Sequence, residues 1–532
     1  MKPSALTNDV GNMAPPSAWG HRLRPFLRWR YIPILAGLTY VLYRSLNSLP
    51  LFSHPLPQHT GPYAVGAIDI EAPVSQARIT YPARFKDTKE NVFELQTVLF
   101  TLYYPADHRT TDDAHTRRHT WIPEPLSLRA QGYAKAAHIS NRFTDALFSG
   151  ALRALAGSIT IPAAVDVPLS SEASPGPGPL SATDPRDGDD EEGGQKVLAS
   201  SEQEKRGFPV IVFSHGTTSS RRDYSHYAGE LAARGYVVAM LEHRDGSCPG
   251  SVIKVSGQRD QKRLIFDVSE VESLDGAELS VEEFHSAQLN FREAEIEEAV
   301  RVMKLINSGR GTDVFHQNPR GEGSHLAKWA GRLNTNDMII AGHSYGATGA
   351  LQALRNWPND KLPFKGAIIL DPGKQSGPLN RDINVPVLVV HSNSWSSKTS
   401  IFYGRAHFDT VEGIVTDNNE RGNPSWFMTS LGTSHPSVTD APLIEPFLLS
   451  FTTGATINVY QGLRQYVHVA EDFLTFLADG TKRGLLAEKA EFPKYDPGTV
   501  LGMWKPGQGD NDTQGEWFDW RSYWQIHVSP VS

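Results

Sequence analysis

Five consecutive residues, Gly342-His343-Ser344-Tyr345-Gly346, carry the pattern in this chain best suited to covalent chemistry. They follow an apolar run, Met338 to Ala341, and precede a small-residue stretch of helical character, Ala347 to Leu354. A serine on so abrupt a strand-to-helix turn adopts a strained backbone conformation, and glycines are needed on both sides because side chains there would collide. The Ser344 hydroxyl is thereby presented at the tip of a sheet, where it can act as a nucleophile. A bare Gly-x-Ser-x-Gly arises often by chance, so the weight rests on the strand before it, the helix after it and its late position in an alternating sheet.

A serine hydroxyl is a poor nucleophile until a base takes its proton, and that base needs an acid to fix its tautomer and stabilise its charged form. On a sheet of this kind the chain order is serine, acid, histidine. Asp371 ends the run Ala367-Ile-Ile-Leu and so falls at the carboxyl end of the next strand, beside the serine. The strand after it ends Val389-Val390-His391-Ser392-Asn393 and offers no carboxylate, which leaves Asp371 as the expected acid. Among the histidines that follow, His391 reads as a strand-end residue and His468 as part of a packing helix. His435 lies in Gly432-Thr433-Ser434-His435-Pro436-Ser437, after the apolar run Trp426 to Leu431, where a final strand would deliver it to the same edge. His435 is the expected base. The tetrahedral anion requires backbone N–H donors, from the residue after the serine and from a turn after an earlier strand. That turn is Phe213-Ser214-His215-Gly216-Thr217, so the expected donors are the amides of Thr217 and Tyr345. An acyl-enzyme cycle of this type needs no metal and no organic cofactor, and none is expected.

The elements that would position these groups are legible as alternation. Phe93 to Tyr104 reads as an early strand; Pro209 to Phe213, Tyr236 to Leu241, Met338 to Ala341, Ala367 to Leu370 and Val385 to Val390 read as short buried strands. Between them, Tyr224 to Arg234 and Phe291 to Ile306 have helical spacing, the latter with Ile296, Val300, Met303 and Ile306 on one side. Strand–helix alternation implies an α/β class with a mostly parallel central sheet flanked by helices, the α/β-hydrolase fold. Residues 61–532 read as the catalytic domain and 1–60 as a leader. Residues 166–206, with Ser-Pro-Gly-Pro-Gly-Pro at 174–179 and an acidic run at 187–192, read as a disordered insertion. Residues 480–532 form a Trp-rich tail, with Trp504, Trp517, Trp520 and Trp524, expected to pack on the domain surface.

With 39% hydrophobic and 21% charged residues the chain is ordinary globular material, and a formal net charge of -8 offers no bulk attraction for nucleic acid. Its single cysteine, Cys248, excludes an intramolecular disulfide and any cysteine-rich metal site, in keeping with a reducing compartment. Near the N-terminus, Arg22, Arg24, Arg28 and Arg30 precede an apolar stretch, Tyr31 to Tyr43, closed by Arg44. That stretch is shorter than the roughly 20 residues a spanning helix needs. Membrane anchor over 31–52, targeting peptide and disordered leader all stay open for it. The favoured expectation is an intracellular, membrane-associated protein.

Several short motifs together resemble the platelet-activating-factor acetylhydrolase family, in its plasma and type II intracellular branch. They are Trp121-Ile-Pro, Gly157-Ser-Ile-Thr-Ile-Pro, Val212-Phe-Ser-His-Gly, Glu242-His-Arg-Asp, Gly342-His-Ser-Tyr-Gly, Leu370-Asp and Ser434-His. The resemblance runs from about Gly61 to about Leu477, apart from the insertion. It implies a calcium-independent esterase that removes a short or oxidised sn-2 acyl group from a phospholipid, with Ser344, Asp371 and His435 as its triad and the amides of Thr217 and Tyr345 as oxyanion donors. Two other readings stand beside it: a general carboxylesterase or polyester hydrolase of the same fold, and a non-catalytic lipid-binding or scaffold protein. Glu242 to Asp245 reads as a network of ion pairs near the active edge. Phe143, Leu147, Phe148, Leu152 and Leu155 fall on one helical face, after Trp121 and Ile122, and form the candidate contact with a membrane or lipid surface.

Overall fold

The computed structural model describes residues 25–46, 50, 52–107, 116–171, 207–398, 400–402, 404–498 and 520–530. The acidic run, Trp504 and Trp517 lie outside them. The strands of the first half are β1 (Ala64–Phe85), β2 (Asn91–Ala106), β3 (Arg118–Thr120), β4 (Thr160–Val165), β5 (Phe208–Ser214), β6 (Val237–Leu241), β7 (Gly250–Ile253) and β8 (Gln261–Leu264). Those of the second half are β9 (Val271–Ser273), β10 (Leu333–His343), β11 (Phe364–Leu370), β12 (Val387–Ser392), β13 (Ile401–Phe402), β14 (Arg405–Ala406), β15 (Trp426–Ser430) and β16 (Trp524–Val528). Twelve of them form one sheet, in the order β16-β15-β12-β11-β10-β5-β6-β2-β1-β4-β3, with β9 added to β1. From β15 to β6 neighbouring strands are parallel. The antiparallel pairings lie at the flanks, β2 with β6 and β1 and β15 with β16. This is the architecture of an α/β-hydrolase.

The near-continuous apolar strands are explained by a sheet covered on both faces, since successive side chains alternate sides. Val210, Val212, Ile340, Ala367 and Ile369 pack on one face against helices Val281–Leu305, Tyr345–Gln352 and His407–Glu420. Ile211, Phe213, Ala341, Ile368 and Leu370 pack on the other against helices Ser225–Ala232 and Val459–Asp479. A third, aromatic cluster, with Phe93, Phe266, Phe284 and Phe291, lies under the far ends of β1 and β2.

Chain order along the parallel strands reverses between β5 and β10, because β5 proceeds outward to β6 whereas β10 proceeds the other way to β11, β12 and β15. Crevices open beyond the carboxyl ends of strands at such a switch point. Sequence position therefore sends the loops after β5, β10, β11, β12 and β15 to one rim.

Two expectations are corrected here. The C-terminal tail does not simply lie on the surface: β16 pairs antiparallel with β15 and Trp524 is buried, so β15 is not the last strand of the sheet. The reading of 166–206 as an insertion starts too early, because Leu169 is buried and the Asp166 carboxylate accepts from the Gly323 and Ser324 amides. At the N-terminus, Pro25–Leu46 is one helix with Leu35, Leu38 and Leu42 exposed, yet among the described residues no helix is long and apolar enough to cross a membrane.

Candidate active site

β10 ends in the turn that carries Ser344. Its backbone sits at φ 56°, ψ −122°, a region that a residue with a side chain occupies only when its surroundings force it. The force comes from close packing of the two glycines. A Cβ on Gly342 would stand 2.3 Å from the Gly346 carbonyl oxygen, and one on Gly346 would stand 1.9 Å from that of Ser214. The Ser344 amide donates to the Leu370 carbonyl at 2.9 Å, locking the turn to β11.

The structure brings Ser344, His435 and Asp371 together. His435 Nε2 is 3.1 Å from Ser344 Oγ, and its Nδ1 is 2.8 Å from Asp371 Oδ2. Asp371 sits in the first residue position after β11 at φ 46° and is buried. Its Oδ1 accepts from the Ser392 amide at 2.6 Å and its Oδ2 from the Ser392 hydroxyl at 2.7 Å. The loop after β15 holds His435, whose amide donates to Ser394 Oγ at 2.9 Å. The imidazole is sandwiched: Trp395 stacks on it with centroids 4.0 Å apart and an 11° interplanar angle, and His343 lies 4.5 Å away on another side. Burial, and then the nearby His435, hold His343 well below the usual imidazole range; its Nδ1 meets the Tyr224 hydroxyl at 2.8 Å.

Ser392, Ser394 and Trp395 were not foreseen as site residues. Ser392 was legible in principle, as a hydroxyl at the end of the strand next to Asp371; the pairing of Trp395 with His435 depends on a short helix, Asn393–Ser397, that sequence spacing does not reveal.

Ser344 opens onto two hollows. The larger, about 820 Å³, is walled by Thr217, Tyr345, Phe266, Phe284 and Trp395. The smaller, about 280 Å³, is walled by Trp121, Tyr133, Thr217, His435 and Ala441. Thr217 and Tyr345 line the larger hollow beside Ser344, and the turn of Thr217 comes close enough that a Cβ on Gly216 would be 3.0 Å from Ser344 Cβ. Lys374 lines the larger hollow, and burial pushes its ammonium down to about 8.

Behind this rim lies the charged network read from Glu242-His-Arg-Asp. Glu242 pairs with Arg129 and Arg221, Arg244 with Glu71, and Asp245 with Arg292, all buried. Cys248 is buried near Arg129, and burial pushes its thiol up to about 12, which disfavours the thiolate. Among the described residues, one group could bring three metal-ligand atoms together: His343, Asp371 and His435. Both nitrogens of His435 are already engaged by Ser344 and Asp371, which makes the set a poor fit for an ion.

The proposed lipid contact needs one correction. Ile122 is buried, and Trp121 packs on the core while its Nε1 donates to Asp440 at 3.1 Å, so neither belongs to an exposed face. Leu152 also packs against the core. Phe143, Leu147 and Leu155 of helix Arg142–Ala156 are exposed, Phe143 at 76%.

With this geometry established, comparison with known proteins is decisive for the family. The model described as platelet-activating factor acetylhydrolase, isoform II, matches residues 195–484, more than half of the chain. The chain belongs to this family. Of its curated relatives, a "Putative phospholipase A2" of Schizosaccharomyces pombe is 26% identical over 303 residues, covering 55% of this chain and 57% of that protein. The platelet-activating factor acetylhydrolase of Cavia porcellus is 25% identical over 328 residues, covering 60% of this chain and 56% of the other. The chain thus spans little more than half the length of these relatives. Among solved structures, a ferulic acid esterase from Streptomyces cinnamoneus is similar at 14% identity and a TM-score of 0.44, over 82% of this chain and 96% of that one.

Proposed function

We propose that this member of the platelet-activating-factor acetylhydrolase family is a serine-dependent phospholipid esterase that hydrolyses short or oxidised sn-2 acyl groups without calcium. The observation that carries the reading is the chain of hydrogen bonds from Asp371 through His435 to Ser344 Oγ at the mouth of the larger hollow. His435 takes the serine proton as Ser344 attacks the ester carbonyl, and Asp371 holds the imidazole with Nδ1 protonated and stabilises the imidazolium. The tetrahedral anion is held by the amides of Thr217 and Tyr345. His435 then gives its proton to the departing lysophospholipid oxygen, leaving an acyl-Ser344. Water, deprotonated by His435, releases the acid and restores the serine.

Access to a lipid surface is assigned to helix Arg142–Ala156, through the exposed Phe143, Leu147 and Leu155. The names of the relatives support the phospholipid class. The test is hydrolysis of phosphocholines of graded sn-2 length in the presence of a calcium chelator. The expected profile favours short or oxidised chains, on the order of tenfold over long saturated ones. Equal rates across lengths, with a simple aryl ester turned over faster than any phospholipid, would move the reading to a general carboxylesterase.

A further inference from the structure

The two amides assigned to the oxyanion come from loops on different strands, and one buried side chain touches residues of both loops. Arg292, in helix Val281–Leu305, is fully buried. Its Nη1 donates to the His215 carbonyl at 2.7 Å and to Ser214 Oγ at 3.2 Å, in the turn that leads to Thr217. Its guanidinium carbon lies 4.4 Å from the centroid of the Tyr345 ring. Nε donates to Asp245 Oδ2 at 2.7 Å and Nη2 to Ser247 Oγ at 2.6 Å. Ser247 in turn accepts the Thr218 amide on its carbonyl at 2.7 Å, immediately after Thr217.

A neighbour on the same helix reinforces the arrangement. Glu295 Oε2 is 2.6 Å from His243 Nδ1, and His243 Nε2 is 2.7 Å from Ser214 Oγ. The His243 amide donates to His215 Nε2 at 3.0 Å. Ser214 Oγ, the His215 carbonyl and His215 Nε2 are therefore tied to the helix or to the loop after β6, while the Gly216 amide donates to the Tyr224 hydroxyl at 3.2 Å.

We propose that Arg292 is the positioning residue of the oxyanion site, clamping the Ser214–Thr217 turn and Tyr345 into one rigid frame; this rests on the serine esterase reading. Two donors on separate loops stabilise a tetrahedral anion only if their spacing is set before reaction, because misplacement of about 1 Å costs on the order of a hundredfold in rate. A guanidinium can do this and an ammonium cannot. Its planar fork directs donors to Asp245, Ser247 and His215 at once, whereas a lysine nitrogen is a single point. The Glu242-His-Arg-Asp motif thereby gains a purpose beyond ion pairing: Asp245 aims the fork and His243 holds its hydroxyl partner.

The experiment compares wild type, Arg292→Lys and Ser214→Ala on a soluble aryl acetate, with thermal melting of each and Ser344→Ala as the blank. Arg292→Lys is expected to lower kcat at least about thirtyfold with KM within about twofold, and to slow inactivation by a fluorophosphonate by a similar factor, since its phosphoryl oxygen occupies the same donors. Ser214→Ala, a milder change, is expected to lower kcat about fivefold. Folded Arg292→Lys with wild-type kcat overturns the proposal, as does a loss confined to KM. If Arg292→Lys does not melt cooperatively, unchanged kcat in Ser214→Ala overturns it instead. Wild type no more active than Ser344→Ala would refute the esterase reading itself, a result distinct from either of these.

Discussion

Ser392 gives Asp371 two of its hydrogen bonds, one from the amide and one from the hydroxyl, and only the second depends on the side chain. With the hydroxyl gone, Asp371 Oδ2 keeps His435 as its donor but loses the contact that fixes its rotation. Ser392→Ala is expected to reduce kcat about tenfold with little change in KM, the effect of one hydrogen bond to a charged group. Steady-state kinetics on a soluble ester would check it, and an unchanged kcat would show that the amide alone orients the carboxylate. At this scale the sequence is informative where chain order constrains chemistry: a serine singled out by its Gly-x-Ser-x-Gly turn, an aspartate at a strand end singled out by elimination, and a histidine singled out by its position in the loop after a strand. Residues that act through packing, such as Trp395 against His435 or Arg292 against Tyr345, were not visible, because their partners are set by side-chain directions across elements far apart in the chain.

Helix Arg142–Ala156 shows how an element can be read correctly and its neighbours misjudged. Asn141 caps it, its side chain accepting from the Phe143 and Thr144 amides at 3.0 and 3.1 Å, while the Thr144 hydroxyl accepts the Asn141 amide. That box fixes where the helix begins and so which residues share a face. Phe143 and Leu147, one turn apart, point to solvent. Trp121 and Ile122 turn inward because the chain around them pairs with the beginning of β4. Replacing Phe143 and Leu147 together by Asp is expected to lower hydrolysis of vesicle-borne phospholipid about a hundredfold or more relative to a soluble ester, since two exposed apolar anchors contribute on the order of 1.5–3 kcal/mol each when buried and about 1.4 kcal/mol is tenfold. Vesicle co-sedimentation beside the two assays would check it; equal effects on both substrates would place the helix outside lipid contact.

Four imidazoles, His215, His226, His407 and His527, are buried in the folded molecule and that of His468 is half-buried. His215, His226, His407, His468 and His527 are each held down to about 4, with burial the largest cause in every case. In the unfolded chain these side chains take protons near 6.5. Between about 6.5 and 4 the unfolded state therefore binds more protons than the folded one, so stability falls as pH falls through that window. The melting temperature is expected to be level above pH 7 and to drop steeply from 6.5 towards 4.5; a flat profile over that range would contradict it.

At the same scale the alternating pattern foretells the parallel strands β5, β6, β10, β11 and β12 and most of the covering helices, though not His407–Glu420, because a doubly covered sheet leaves near-continuous apolar runs. It did not foretell β16, since a five-residue edge strand after a polar stretch has too little periodicity to stand out. Every step of the proposed hydrolysis requires Ser344 Oγ to be the atom that bonds to substrate. Intact-mass analysis after exposure to a fluorophosphonate tests this most directly: one adduct, mapped to the peptide bearing Ser344, is expected in the wild type and none in Ser344→Ala or His435→Gln, each verified to melt as the wild type does. An adduct on another residue, or no adduct on folded wild-type protein, would contradict it.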